Sequence, residues 1–182
     1  MPMPSCRKFR LLTFAIALLF APRTVAMQHE MPAGMTHEQH LAQMKKEAEM
    51  KKRGNAAMGF DQDKTTHHFL LTRDGGTIQV EADNAADTTT RDLIRTHLRA
   101  ISEQFAKGDF SAPLMTHHEV PPGVPMMRQL KSTITYTFEE NPQGAVVRIS
   151  SANGDAIKAL HAFLRYQIKE HATGDPTSIK AE

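Results

Sequence analysis

The residues of this sequence that could do chemistry are mostly histidines and methionines, and they are densest in "MQHEMPAGMTHEQHLAQM", residues 27–44. Thioether sulfur and imidazole nitrogen are the donors that suit Cu(I) when no cysteine is present. On a helix, positions 37, 40 and 44 share one face. We therefore predict a copper-binding arm whose first-choice ligands are Met31, Met35, His37, His40 and Met44. The alternative is a Met-rich helix that only solubilises the chain or docks on a partner.

A histidine pair in "KTTHHF", residues 64–69, gives a further candidate site. This segment predicts the start of a strand, where successive side chains point to opposite faces. His67 and His68 are therefore not expected to ligate the same ion. Together with Asp61 and Asp63 they also fit a small hydrolase or a hard-metal site, although the sequence holds no established catalytic motif that would support it.

A second pair, His117 and His118, lies in "MTHHEVPPGVPMM", residues 115–127. The stretch from 109 to 131 contains four prolines and has no hydrophobic period, which predicts a long loop without a helix. In a loop both imidazoles can turn toward one ion, and Met126 and Met127 would then complete a second metal site. The competing interpretation is that these two methionines anchor the loop to the core.

The first 26 residues predict a cleaved secretory signal peptide. Basic residues precede the apolar run "LLTFAIALLFA", and small residues lead to Ala26. The run is too short to span a bilayer, and no second apolar stretch follows, so no stable membrane insertion is expected. We predict a periplasmic or secreted protein, cleaved near Ala26.

Cleavage would change the charge and the sulfur chemistry of the chain. Four of the 22 basic residues and the single cysteine, Cys6, precede residue 27, whereas all 20 acidic residues follow it. The mature chain would be net negative, which argues against nucleic-acid binding. It would also hold no disulfide or thiolate, so a soft metal would have to use methionine and histidine.

The remaining pattern predicts an α+β domain in which a hairpin and a helix occur twice. Thr36 and Gln39 form a capping box for a first helix, with Gly54 as its C-terminal cap. Asp74-Gly75-Gly76 and "NPQG" predict the turns of two hairpins. Two amphipathic helices follow the hairpins. We therefore expect a ββαββα order, a four-stranded antiparallel sheet with both helices on one face, and an N-terminal helical arm.

The expected boundaries are a signal peptide at 1–26, a partly helical Met/His-rich arm at 27–58, the α+β domain at 59–176 and a tail at 177–182.

Three segments, "AMGFDQDKTTHHFLLTRDGG", "VPPGVPMM" and "LRYQIKEHATGDP", resemble those of a group of uncharacterised exported bacterial proteins. This resemblance implies that the GFDQDKTTHHF segment and the Pro-rich loop are shared features, and it supplies no activity. In composition only, the arm resembles Met/His-rich periplasmic copper-handling proteins, which favours copper over zinc. The leading hypothesis is a periplasmic copper(I) protein for buffering, resistance or delivery. The alternatives are a metal-free periplasmic interaction module that binds a protein partner and, third, a small hydrolase.

Overall fold

A computed structural model describes residues 34–179 of this chain. The predicted signal peptide, Met31 and the last three residues lie outside the described residues. Contacts divide the chain after Met35, and the unit that begins at Thr36 holds every helix and strand reported below. Among the described residues, no helix is both long enough and apolar enough to cross a membrane.

The element order confirms the predicted α+β fold. A first helix precedes two hairpins, each of which is followed by a long helix, and two short helices lie between the halves. The elements are α1 (His37–Met58), β1 (Thr65–Thr72), β2 (Gly75–Ala82), α2 (Thr88–Lys107), α3 (Ser111–His117), α4 (Val124–Gln129), β3 (Ile134–Asn141), β4 (Gly144–Ser151) and α5 (Gly154–Glu170). Two 3-10 turns, Gln62–Lys64 and Lys131–Thr133, lead into β1 and β3.

The four strands form one antiparallel sheet in the order β1-β2-β4-β3. The two hairpins therefore meet through their second strands, with Ile78 opposite Val147 at the centre of the sheet. Both long helices pack on one face, α5 over β1 and β2 and α2 over β3 and β4. Each helix thus covers the hairpin of the other half, which joins the halves in one core. That core includes Phe105, Phe110 and Phe163, whose rings contact one another.

The hairpin turns differ in detail from the sequence-based prediction. Thr72 pairs with Gly75, so the first turn is Arg73-Asp74, and both glycines lie in β2. Gly75 directly follows the turn with a positive φ of 153°, and a Cβ there would also collide with the backbone of β4, so the position needs glycine both for its backbone conformation and for close strand packing. The second hairpin turns at Pro142-Gln143, as "NPQG" predicts.

The first helix is longer than its sequence suggests. The capping box of Thr36 and Gln39 is confirmed, but the helix continues past Gly54 and ends at Gly59, which has a positive φ of 80°. Gly54 is buried because α1 packs on α3 at this point, where a Cβ would meet the side chains of Gln62 and Thr116. Tertiary packing thus replaces the C-terminal cap that the local sequence indicates.

The prediction of a helix-free linker between the halves is wrong. α3 and α4 both form, because Pro113 and Pro125 occupy their first turns, where the missing backbone N–H has no intrahelical acceptor. Gly123 precedes α4 at φ 85° and lies against the backbone of Ala159, which brings α4 close to α5. The segment is therefore a packed part of the helical layer.

Candidate functional site

Four histidines from four separate segments line one cavity between the sheet and the helices. They are His67 of β1, His97 of α2, His117 at the end of α3 and His171 just after α5. We call them the cavity histidines. The cavity measures about 70 Å³, which exceeds the minimum that one water molecule needs.

The rest of the cavity wall is mainly apolar. Phe69, Val80 and Leu98 come from the sheet and α2, and Met58 from the last turn of α1. The lining includes Thr116 and Gln167 as polar neighbours of the histidines, and none of the lining residues is a carboxylate or a cysteine. An electrically neutral, weakly polar wall therefore surrounds the imidazoles.

The imidazole rings contact one another in a chain. His171 lies in the middle, with its ring centroid 5.7 Å from that of His67 and 5.2 Å from that of His117. The rings of His67 and His171 are stacked at 17°, whereas His117 meets His171 edge-on at 89°. Phe60 connects the fourth histidine, His97, to this chain of rings. Its ring stacks on His67 with centroids 6.2 Å apart and meets His97 edge-on at 5.8 Å.

Local structure explains how each ring reaches the cavity. His67 alternates with Thr65 and Phe69 on the face of β1 that carries the core. His97 lies between Ile94 and Ile101 on the apolar face of α2. His171 follows Ile168 by three residues and so continues the buried face of α5.

A hydrogen bond to Gln167 orients the imidazole of His117. The distance from His117 Nε2 to Gln167 Oε1 is 3.1 Å, and Gln167 Oε1 can only accept, so Nε2 carries the proton and donates. Nδ1 of His117 then has a free lone pair. Among the residues that the structure describes, His117 Nδ1, His67 Nε2 and Gln167 Nε2 are buried atoms without a hydrogen-bond partner. Unpaired nitrogens of this kind are costly unless a ligand, ion or water meets them.

Burial keeps the cavity histidines neutral. Desolvation, helped by the neighbouring His97 and His68 and opposed by Asp83, lowers the pKa of His67 to about 4. Desolvation also lowers the pKa of His97 to about 4 and, with the charges of His67 and His117, that of His171 to about 3. The pKa of His117 is lowered mainly by burial as well. At neutral pH the rings therefore present lone pairs, the form in which histidine binds metals.

His68 points away from the cavity, as the strand period predicts. Its Nδ1 lies 2.9 Å from Oδ1 of Asp175, whose Oδ2 accepts hydrogen bonds from the backbone N–H of Phe69 and the hydroxyl of Thr173. Burial raises the pKa of Asp175, but the hydrogen bonds from Phe69, Thr173 and His68 outweigh it, so the pKa is lowered. The carboxylate holds the segment after α5 on the edge strand β1.

The candidates of the Pro-rich segment do not form one group. His117 is buried in the cavity, whereas His118 is exposed and has a positive φ of 62°. Met127 is fully buried in the core, which is the anchoring role, and Met126 is 40 % exposed on α4. The pair therefore divides between the cavity and the surface.

Three of the five arm candidates lie on α1. His37 is exposed, His40 is half-buried and Met44 is 40 % exposed. Their spacing places them on one helix face, as expected. Met35 precedes the helix in the other unit of the chain, and Met31 lies outside the described residues.

The two acidic candidates are engaged in local structure. Asp61 caps the 3-10 turn through the backbone N–H of Asp63 and accepts from Asn55, and Asp63 forms an ion pair with Lys51 of α1. These carboxylates tie α1 to the start of β1, so each has a structural role.

Sequence reasoning identified His67 and His117 but missed their partners. His97 and His171 carry a signal that was available, since both occupy apolar-face positions of their helices. His161 shows why that signal alone is insufficient. It also lies on a buried helix face, yet its Nε2 donates to the carbonyl oxygen of Thr72 at 2.9 Å, so it is a satisfied core histidine.

Within residues 34–179, no three His, Cys, Asp or Glu side chains are grouped so that they could hold a metal ion as they stand. The cavity rings stack instead of converging, and rotation about their side-chain torsions would be needed to direct the nitrogens to one point.

Comparisons of the chain with protein-family models, curated proteins and solved structures found no match.

Proposed function

We propose that this chain is an exported metal-binding protein that holds Cu(I) in the histidine cavity, for buffering, resistance or delivery to a periplasmic partner. The observation that carries the proposal is the meeting of His67, His117 and His171 around one cavity, where His67 Nε2 and His117 Nδ1 are buried without hydrogen-bond partners. These imidazoles come from three elements that are far apart in sequence. Each is neutral at physiological pH, so binding requires no proton release.

The chemistry of the wall favours a monovalent soft ion over a divalent one. The donors are imidazole nitrogens and the thioether of Met58, the set that suits Cu(I) in the absence of thiolates. The lining includes no carboxylate, so nothing there would neutralise the second charge of Zn²⁺ in these apolar surroundings. Cu(I) would bring a single charge, and its desolvation would be correspondingly cheaper.

The exposed face of α1 is a second ligand set in this proposal. His37, His40 and Met44 lie along one side of the helix, where His37 and Met44 are exposed and His40 is half-buried. A site on a single exposed helix lacks the enclosure of the cavity, so we assign it the capture of copper at lower affinity.

An anaerobic Cu(I) titration of the mature chain against a competing chelator tests the proposal. One variant carries His67→Phe and His171→Phe, which keep an aromatic ring at each position. Its counterpart carries His37→Gln, His40→Gln and Met44→Leu on α1. Substitution is preferable to deletion of the arm, because the last turns of α1 pack against α3.

We expect the cavity variant to lose the tightest site, with affinity lower by at least about tenfold per ligand removed, the lower end of what outer-shell changes cost in metal sites. The α1 variant should keep that site and lose only the copper that binds with lower affinity. Circular dichroism of both variants is the control for correct folding. Tight binding that survives in the folded cavity variant and disappears in the α1 variant would contradict the proposal.

An interaction module without metal is the second candidate, and one observation favours it. The α3–α4 region exposes four large apolar side chains, Leu114, Met115, Val120 and Met126, by 37–54 %. Grouped apolar side chains on a surface mark binding sites for other proteins. Absence of competitive Cu(I) binding in the unmodified chain would promote this function.

A further inference from the structure

Two neighbouring side chains of the histidine cavity each carry a polar atom without a partner. His117 and Gln167 line the cavity and are 8 % and 4 % exposed. Their mutual hydrogen bond joins His117 Nε2 to Gln167 Oε1 at 3.1 Å, which leaves His117 Nδ1 as an unpaired acceptor and Gln167 Nε2 as an unpaired donor. Because a buried polar atom without a partner is costly, the pair favours a bound group that supplies both a donor and an acceptor.

The same requirement holds for either orientation of the Gln167 amide. With its oxygen and nitrogen exchanged, Gln167 Nε2 would donate to His117 Nε2. His117 Nδ1 would then carry the proton, and Gln167 Oε1 would be the unpaired acceptor. A hydroxyl group satisfies both arrangements, since it can donate one hydrogen bond and accept another.

The cavity wall selects against charged organic molecules. Among the described residues that line it there is no lysine, arginine, aspartate or glutamate, and burial keeps the cavity histidines neutral. An organic ion would therefore lose its hydration without gaining a counter-charge. The side chains of Phe69, Leu98 and Phe163 instead offer an apolar surface to an alkyl group.

The size of the cavity limits that alkyl group. The cavity volume is about 70 Å³, whereas an apolar cavity of about 150 Å³ accepts benzene. About half of that volume has room for roughly three or four non-hydrogen atoms. Water alone would satisfy the polar atoms but would also contact the apolar wall, whereas a short alkyl alcohol matches both parts of the lining.

We propose that this cavity is a binding site for a short-chain alkyl alcohol. Its hydroxyl group pairs with His117 and Gln167, and its alkyl group packs on the apolar wall. The inference goes beyond the proposed function, because it concerns the protein without copper. Copper in the same cavity would displace the alcohol, so the two ligands are measured in separate experiments.

The test is an NMR titration of the mature protein, with a chelator present to exclude metal ions. The reporters are the methyl groups of Leu98 and Ile101, which line the cavity. The probes are 2-propanol and acetone, which are similar in shape and differ in the hydroxyl donor. We expect saturable shifts with 2-propanol at a Kd of about 1 mM, within the range for a ligand of this size. Acetone should bind about tenfold more weakly, because it cannot donate a hydrogen bond and leaves an acceptor unpaired.

Gln167→Met tests the polar end of the site. Methionine nearly preserves the length of the side chain and removes the amide, so 2-propanol should bind about tenfold more weakly. His118→Asn is the matched control, because His118 is the exposed neighbour of His117 and is not among the cavity residues. Asparagine tolerates the positive φ of 62° at this position. The control should bind 2-propanol as the unmodified protein does.

Three results would overturn the inference. Shifts that rise linearly with 2-propanol and never saturate would show that the cavity takes up water only. Equal affinities for 2-propanol and acetone would show that the hydroxyl group has no partner in the cavity. Unchanged 2-propanol affinity in a folded Gln167→Met variant would remove Gln167 from the site. The first two results come from the unmodified protein, so they do not depend on how any variant folds.

Discussion

Acid should destabilise the metal-free protein at pH values where carboxylates are still ionised. The pKa of His67 and of His97 is lowered from 6.5 to about 4 in the folded state. The unfolded chain binds these protons more readily than the folded chain does. The contribution of the neutral rings to the free energy of unfolding is therefore fully present above pH 6.5, and it is lost as the pH drops toward the folded-state pKa values. His171, with a pKa of about 3, contributes in the same direction.

The size of the effect follows from the two pKa values of each ring. At pH 5 an unfolded histidine is almost fully protonated and a folded cavity histidine is almost fully neutral, which costs about 2 kcal/mol for each group. Three such groups give about 6 kcal/mol as an upper bound, since the rings are partly accessible and relax together. Domains of this size have only about 5–15 kcal/mol of stability.

Urea unfolding at pH 7.5, 6 and 5, followed by circular dichroism in metal-free buffer, measures this loss. His97→Phe provides the internal comparison, because it keeps a ring against Phe60 and removes one titrating group. It should lose about 2 kcal/mol less than the unmodified protein between pH 7.5 and 5. Parallel stability curves for the two proteins would refute the account of a buried neutral His97.

Further substitutions test other parts of the structure. Gly54→Ala should destabilise the protein by about 1–2 kcal/mol, because its Cβ would displace the Gln62 amide, whereas Gly154→Ala meets no atom within 4 Å and should be neutral or slightly stabilising in the same thermal melt. Asp175→Asn should increase hydrogen exchange at the Phe69 amide, which donates a hydrogen bond to Asp175 Oδ2 at 2.9 Å. Unchanged exchange would rule out the role of Asp175 in holding the segment after α5 on the edge strand β1. Phe163→Ala should cost about 3–5 kcal/mol in denaturant unfolding, since Phe163 is 1 % exposed at the centre of the core, and a loss below 1 kcal/mol would contradict that position.

Much of the fold was predictable because its signals are local. Alternating apolar residues in the strands and the apolar face of α2, with Ile94, Leu98 and Phe105, depend only on nearby residues. The misassigned elements are those decided by distant contacts. α1 continues through Gly54 where α3 packs against it, and α4 packs on α5 because Gly123 allows the two backbones to approach closely.

The candidate site was predictable only in part, for a related reason. The spacing of His67 and His68 correctly indicated opposite faces, since that is a property of one strand. The meeting of His67, His97, His117 and His171 depends on how four elements pack, and no sequence interval encodes it. A search for histidines on apolar helix faces would have found His97 and His171, and it would have found His161 equally.

X-ray absorption at the copper edge, on protein loaded with less than one equivalent of Cu(I), tests the central claim most directly. A site in the histidine cavity predicts a first shell dominated by imidazole nitrogen, with the outer-shell scattering that imidazole rings produce and at most one sulfur, from Met58. The same spectrum from the His67→Phe, His171→Phe variant should lose that imidazole pattern. A first shell dominated by sulfur in the unmodified protein would contradict the claim and place copper on methionines outside the cavity.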